Sequence, residues 1–354
     1  MKEEEKYMQR CLDLAEIGCA EARPNPSVGC LILYDGKVIG EGYTSPYGGN
    51  HAEVNAVQAV LSTYGSQEAK RLLAASEVYV SLEPCAHHGK TPPCADLLVE
   101  YKPGKVIIGC LDPSEKVSGK GVERLQRAGI PCEIGVLGEK AKWSVRRFMT
   151  QVTKSRPYVI LKWAETADGY FGSSDLQQKW ISNPATKQWV HKWRSEEDAI
   201  LVGKNTALID NPSLTVREWS GKNPLRVLVD KHLEVPLEYK IFDSAAETLV
   251  FNAERFDLKK NVRFIELENF DLYLPQNILY QLYLLDVQSL IVEGGAKMLQ
   301  SFINAGMWDE ARIFSTPEKW GEGIKAPEIR GEVIEESQIA DNTLTVMKNS
   351  AFDS

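Results

Sequence analysis

Two short segments carry the residues that could do chemistry. The first is Asn50-His51-Ala52-Glu53-Val54, and the second is Glu83-Pro84-Cys85-Ala86-His87-His88-Gly89-Lys90-Thr91-Pro92-Pro93-Cys94. Together they offer an imidazole, two thiols and a carboxylate two residues beyond the imidazole. Three N and S ligands leave the fourth position of a tetrahedral zinc open for water, which is the arrangement of a catalytic rather than a structural site. Zinc lowers the pKa of such a water to roughly 7. A hydroxide formed there can attack an amino-bearing ring carbon, and a carboxylate must carry protons in turn to the ring nitrogen and to the departing ammonia. His51, Cys85 and Cys94 are the candidate ligands, and Glu53 is the candidate proton carrier.

The surrounding pattern supplies elements to hold these groups. Val54, Val57 and Leu61 fall at helical spacing and predict a helix over 51–61, with His51 and Glu53 at its start. An apolar strand over 77–82 runs into Cys85. Cys94 opens an amphipathic run over 94–101, where the helix dipole stabilises a thiolate. Two blander readings stand beside this one. The cysteines could be buried thiols, or His87 or His88 could complete a structural zinc site. The order of the residues, the intervening strand and Pro84 favour the catalytic reading. Glu53 also argues for it, because a structural site does not need that residue. His-x-Glu followed by Pro-Cys and a second Cys is the layout of zinc-dependent nucleobase deaminases.

The chain has 354 residues, so two domains are expected. Net charge is −8 and no basic stripe is present, which argues against nucleic acid as a partner. No apolar run reaches membrane-spanning length and no signal peptide opens the chain, so no membrane partner is expected. All seven cysteines lie between Cys11 and Cys132, and an odd number with two in ligand positions points to a reducing, cytoplasmic compartment. All eight tryptophans lie at or beyond Trp143. That switch places a domain boundary near 146–156, giving domains over 1–148 and 157–354 with a linker over 149–156.

The first half reads as helix 4–20, strand 28–33, an Asp35-Gly36 hairpin turn, strand 37–43, the His51 helix and strand 77–82. The Cys94 helix, strand 105–110, helix 119–128 and strand 132–137 follow. Alternating strands and helices imply a layered α/β sheet with helices on both faces. Segment 139–156 reads as a short helix and a basic connector. The second half is again α/β, with strands over 158–164, 198–203, 225–230, 248–251, 262–266, 289–293 and 311–315. A helix begins at Ser182-Asn183-Pro184, and another spans 277–285. No G-x-G-x-x-G fingerprint follows a strand. Instead strand 289–293 runs into Gly294-Gly295 and a helix, where glycines and a helix N-terminus can receive an anion. Alone, that turn is more often just a tight connection.

Pro24-Asn25-Pro26-Ser27-Val28-Gly29-Cys30, the His51–Val54 segment and the Glu83–Cys94 segment resemble the bifunctional riboflavin-biosynthesis deaminase/reductase family. The His-His-Gly-Lys-Thr-Pro-Pro spacer separates this family from cytidine deaminases, whose two cysteines are two residues apart. The resemblance continues through Lys162–Gly169, Trp180-Ile181-Ser182, Arg194 to Arg217 and Val292–Gly295, so it covers nearly the whole chain.

The resemblance implies a cytidine-deaminase-like three-layer domain followed by a dihydrofolate-reductase-like α/β domain. It implies one zinc and NADPH as cofactors, a phosphorylated pyrimidine as substrate, and a homo-oligomer. It assigns Asn25 and Lys90 to substrate binding in the first domain. In the second, Ala164, Trp180, Thr206, Asp210 and Gly295 would contact NADPH. Gln178, Arg194, Leu214, Arg217 and Glu293 would contact the ribosyl substrate, with both arginines suited to its phosphate. Gln178 and Lys231 depart from the small hydroxyl residues expected at those positions. One rival reading is a deaminase of a free base or of RNA, and another is a zinc-stabilised assembly protein without activity.

Overall fold

The computed structural model describes residues 2–19, 21–88, 92–114, 118–174 and 183–350. Lys90, Gln178 and Trp180 lie outside the described residues. The chain divides into two compact units, Met1–Ser155 and Arg156–Ser354.

The first unit runs α1 (Glu3–Gly18), β1 (Gly29–Tyr34), β2 (Lys37–Tyr43), α2 (Ala52–Tyr64), α3 (Ser66–Ala74), β3 (Glu77–Leu82) and α4 (Cys94–Tyr101). It continues through β4 (Lys105–Cys110), α5 (Lys120–Arg127), β5 (Cys132–Ile134), α6 (Gly138–Ser144) and α7 (Arg146–Lys154). Its sheet has the order β2-β1-β3-β4-β5. The pairs β1–β2 and β1–β3 are antiparallel, and β3–β4 and β4–β5 are parallel. Side chains of β1 alternate between faces. Cys30 and Ile32 join the core beneath α2, and Leu31 and Leu33 pack with Met8 and Cys11 of α1. That alternation makes the three layers.

The second unit runs β6 (Tyr158–Thr166), β7 (Tyr170–Gly172), α8 (Pro184–Glu196), β8 (Ala199–Gly203), α9 (Lys204–Asp210), β9 (Leu225–Val229), β10 (Thr248–Asn252), β11 (Asp257–Lys259) and β12 (Val262–Glu266). It continues through α10 (Leu274–Leu284), β13 (Ser289–Val292), α11 (Ala296–Asn304), β14 (Glu310–Thr316), β15 (Ile324–Lys325), β16 (Glu332–Ile339) and β17 (Asn342–Lys348). Ten strands form one sheet, β11-β12-β10-β9-β8-β13-β6-β14-β17-β16. From β12 to β14 every neighbour is parallel. Val159, Leu161 and Trp163 of β6 enter one core, and Tyr158 and Ile160 enter the other. Both faces are therefore covered, as parallel sheets require.

Several expectations shift. Residues 149–154, expected in a linker, form the last turns of α7, because Phe148 and Met149 pack on the first unit's core. Strand β5 stops at Ile134 instead of 137, since Gly135 turns the chain with φ 100°. Helix α10 starts at Leu274, three residues before the expected 277, with Pro275 in its first turn. Among the described residues, no helix is long and apolar enough to cross a membrane.

Candidate functional site

Helix α2 brings His51 and Glu53 to the sheet. His51 is its N-cap, and Glu53 lies in the first turn with 4 % of its surface exposed. Two glycines of β2 allow the approach. A β-carbon on Gly40 would stand 2.6 Å from the Ala56 carbonyl oxygen, so no larger residue leaves α2 where it is. The loop entering the helix is tied down by Asn55, whose Nδ2 donates to the Tyr43 carbonyl at 2.8 Å and to Ser45 Oγ at 2.9 Å.

Cys85 lies just beyond β3, at the carboxyl end where ligands of parallel sheets gather. Cys94 is the first residue of α4, and its backbone N–H donates to Cys85 Sγ at 3.3 Å. His51 Nδ1 is 3.3 Å from Cys94 Sγ and 3.6 Å from Cys85 Sγ. The three ligand atoms lie within 4.8 Å of one another. Zinc bonds of about 2.0–2.3 Å in a tetrahedron put neighbouring ligands roughly 3.5 Å apart, so the separations fit. Cys85 is held below the usual thiol range by hydrogen bonds from the Cys94 thiol, His51 and the Cys94 backbone. Burial, then the charge of Cys85, pushes the Glu53 carboxyl up to about 7. A buried carboxyl near neutrality can both accept and return a proton.

Sequence reasoning assigned no role to Glu83, yet its buried carboxylate organises the approach to Cys85. It accepts from the backbone N–H groups of Asp112 (3.2 Å), Gly119 (3.0 Å), Gly121 (2.9 Å) and Val122 (3.3 Å). A β-carbon on Gly121 would stand 2.1 Å from the Pro84 carbonyl oxygen. Only long-range packing reveals this clamp. Asn25 is half-buried, and its backbone N–H donates to the Ala22 carbonyl at 3.0 Å.

In the second unit, Glu293 follows β13 and meets Arg194 of α8. Arg194 Nε donates to Oε1 at 3.2 Å and Nη2 to Oε2 at 2.7 Å. Burial would raise the Glu293 pKa, but the charges of Arg194 and Lys162 overcome it and hold the carboxyl at about 2. Lys162 on β6 is thus a third member of this cluster, one that sequence reasoning did not single out. Gly295 opens α11 with φ 70°, and Thr206 Oγ1 would be 3.5 Å from a β-carbon placed on it. These two expected cofactor contacts are therefore neighbours. Ala164 is partly buried against the core on the Ile160 face of β6. Asp210 ends α9, and burial raises its pKa. Leu214 is 2 % exposed and belongs to the same core. Arg217 Nη1 donates to Thr215 Oγ1 at 3.4 Å. Lys231 pairs with Asp271 beside an open cavity of about 610 Å³ lined also by Glu266 and Glu268.

The fold and these two constellations define a zinc-type deaminase domain joined to a reductase domain. The family model described as cytidine and deoxycytidylate deaminase zinc-binding region matches residues 1–110. The model described as RibD C-terminal domain matches residues 157–349. The riboflavin biosynthesis protein RibD of Aquifex aeolicus is 38 % identical over 341 residues, covering 94 % of this chain and 92 % of the relative. The Escherichia coli protein is 32 % identical, covering 90 % and 89 %. The crystal structure of a diaminohydroxyphosphoribosylaminopyrimidine deaminase/5-amino-6-(5-phosphoribosylamino)uracil reductase from Thermotoga maritima superposes with TM-score 0.88 at 34 % identity, covering 98 % of this chain and 99 % of that one. The chain belongs to the bifunctional deaminase/reductase family of riboflavin biosynthesis. Zinc and NADPH are the cofactors that its two domains fit.

Proposed function

We propose that the first domain deaminates 2,5-diamino-6-(5-phosphoribosylamino)pyrimidin-4(3H)-one by hydrolysis. The product, 5-amino-6-(5-phosphoribosylamino)uracil, is then reduced by the second domain to 5-amino-6-(5-phosphoribitylamino)uracil. The observation that carries this reading is the His51, Cys85 and Cys94 trio with the Glu53 carboxyl buried two residues from His51.

Bound zinc supplies an acidified water at this trio. Glu53 takes one proton from the attacking water and gives it to the ring nitrogen, then takes the remaining hydroxyl proton and gives it to the amino group that leaves as ammonia. His51, Cys85 and Cys94 hold the metal, while Asn25 and Lys90 orient the ring and the phosphate. In the second domain, NADPH supplies the hydride. Gly295 and Thr206, with Ala164, Trp180 and Asp210, form the cofactor's seat. Arg194, Arg217, Glu293, Gln178 and Leu214 contact the ribosyl substrate, the two arginines its phosphate, and Lys162 joins the Arg194–Glu293 charge cluster. A homo-oligomer, as the resemblance implies, and a cytosolic location, as the cysteine usage suggests, belong to the same proposal and are decided by sedimentation and fractionation.

The test follows ammonia release and NADPH oxidation in one sample of zinc-loaded protein given the diaminopyrimidinone phosphate. Both signals, ammonia first, are expected. Ammonia without NADPH oxidation would remove the second assignment, and silence in both would remove the reading.

A further inference from the structure

Residues 211–217, Asn211-Pro212-Ser213-Leu214-Thr215-Val216-Arg217, leave α9 without forming a regular element. Asn211 and Leu214 nevertheless hold left-handed backbone angles, φ 40° and 51°. Such angles persist only where the surroundings over-determine them. Here four side chains do so. Asn211 Oδ1 accepts the Lys240 N–H at 2.8 Å, and the Ser213 carbonyl accepts from the wholly buried Arg226 at 3.4 Å. The Val216 N–H donates to Asn223 Oδ1 at 2.8 Å, and the Arg217 N–H donates to His191 Nδ1 at 3.1 Å.

His191 stands apart from the other three. It is 1 % exposed and sits on α8, one turn before Arg194. Arg194 in turn grips Glu293 with two hydrogen bonds. One imidazole therefore links the segment ending at Arg217 to the helix that carries the Arg194–Glu293 pair. A backbone N–H can only donate, so Nδ1 is the acceptor and the ring carries its proton on Nε2. The charged groups around the ring are Arg194 on α8, Arg217 and Glu218 at the end of the segment, and Glu293 after β13. Burial, then the two arginines, keeps the imidazole below its ordinary pKa and so preserves the acceptor.

We propose that His191 is a positioning residue of the reductase: its Nδ1 fixes the Arg217 backbone and so registers that guanidinium against the Arg194–Glu293 pair for a phosphate-bearing substrate. The inference rests on reading Arg217 as a substrate contact. Arginine grips phosphate bidentately only when its fork is aimed, and small misplacements of binding groups are costly.

The test compares three variants in the zinc-loaded full chain. His191→Asn can place its Oδ1 where Nδ1 stands, His191→Gln reaches past that point, and His191→Leu removes the acceptor. Reductase KM and kcat are measured with the aminouracil ribosyl phosphate, with its phosphate-free form and with NADPH varied. Unchanged KM for NADPH reports an intact second domain, and ammonia release an intact first domain. His191→Leu is expected to raise KM for the phosphorylated substrate about tenfold or more, as loss of a buried hydrogen bond allows. KM for NADPH and for the phosphate-free form should hold, and His191→Asn should stay within about threefold of wild type. Should His191→Leu fail to fold, His191→Gln must show the loss that His191→Asn does not. Equal KM in all variants would overturn the proposal, as would equal loss with both forms of the substrate. Wild-type protein that never oxidises NADPH with this substrate would instead fell the function assigned to the domain, and this inference with it.

Discussion

Gly42 lies so close to Ala52 that a β-carbon on the glycine would stand 2.3 Å from the alanine's carbonyl oxygen. Ala52 sits between His51 and Glu53, so this contact sets the depth at which both enter the site. Gly42→Val must push the start of α2 off the sheet. Zinc measured per chain should fall well below one, and ammonia release should vanish, while NADPH oxidation with the aminouracil phosphate persists. Full zinc occupancy in Gly42→Val would show that the close contact does not set the site.

Glu53→Gln keeps the shape of the side chain and removes its proton chemistry. Zinc should remain bound, and deamination should fall by about 10²–10⁴-fold, the usual contribution of a positioned acid/base group. Full activity with retained metal would show that another group carries the proton.

Glu83 offers its carboxylate to four backbone N–H groups. Glu83→Ala leaves those buried donors without an acceptor, and unsatisfied buried donors cost about 1–3 kcal/mol each in isolation. Urea unfolding of the first domain should show a loss of at least about 2 kcal/mol, allowing for relaxation of the segment. A loss under about 0.5 kcal/mol, the range of ordinary surface substitutions, would mean the clamp is replaceable.

The pH dependence of the second domain should carry the signature of Glu293. Its carboxyl titrates near 2 in the folded chain against an ordinary value of 4.5. Between those values the unfolded chain binds the extra proton, so stability drops as pH falls. The stability difference between wild type and Glu293→Gln should be complete above about pH 4.5 and shrink as pH approaches 2. Denaturant melts across that range check it, and a constant difference would show that the charge of Glu293 is not linked to folding.

Glu293→Ala also separates two kinds of contact. It should raise KM for the aminouracil phosphate more than KM for NADPH, because the residue faces Arg194 rather than the Gly295 turn. Equal loss of both would indicate a folding defect.

Much of the first domain was legible in the residues alone. Periodicity placed α4 at 94–101 and β4 at 105–110, and in the second domain the helix start at Asn183-Pro184 showed its cap, with Asn183 accepting the Thr186 N–H. These signals are local, so a linear reading captures them. The grouping of His51, Cys85 and Cys94 was legible too, because zinc chemistry restricts both residue type and order. Strands β16 and β17 went unread. Glu332, Glu335 and Glu336 leave β16 largely exposed, and only its antiparallel register with β17 makes it a strand. The distances among His51, Cys85 and Cys94, the clamp at Glu83, the joining of Lys162 to the Arg194–Glu293 pair and the seat of Arg217 on His191 were decided by tertiary structure. Each depends on groups far apart in the chain, brought together by helix approach and strand pairing, and residue type alone encodes no such distance.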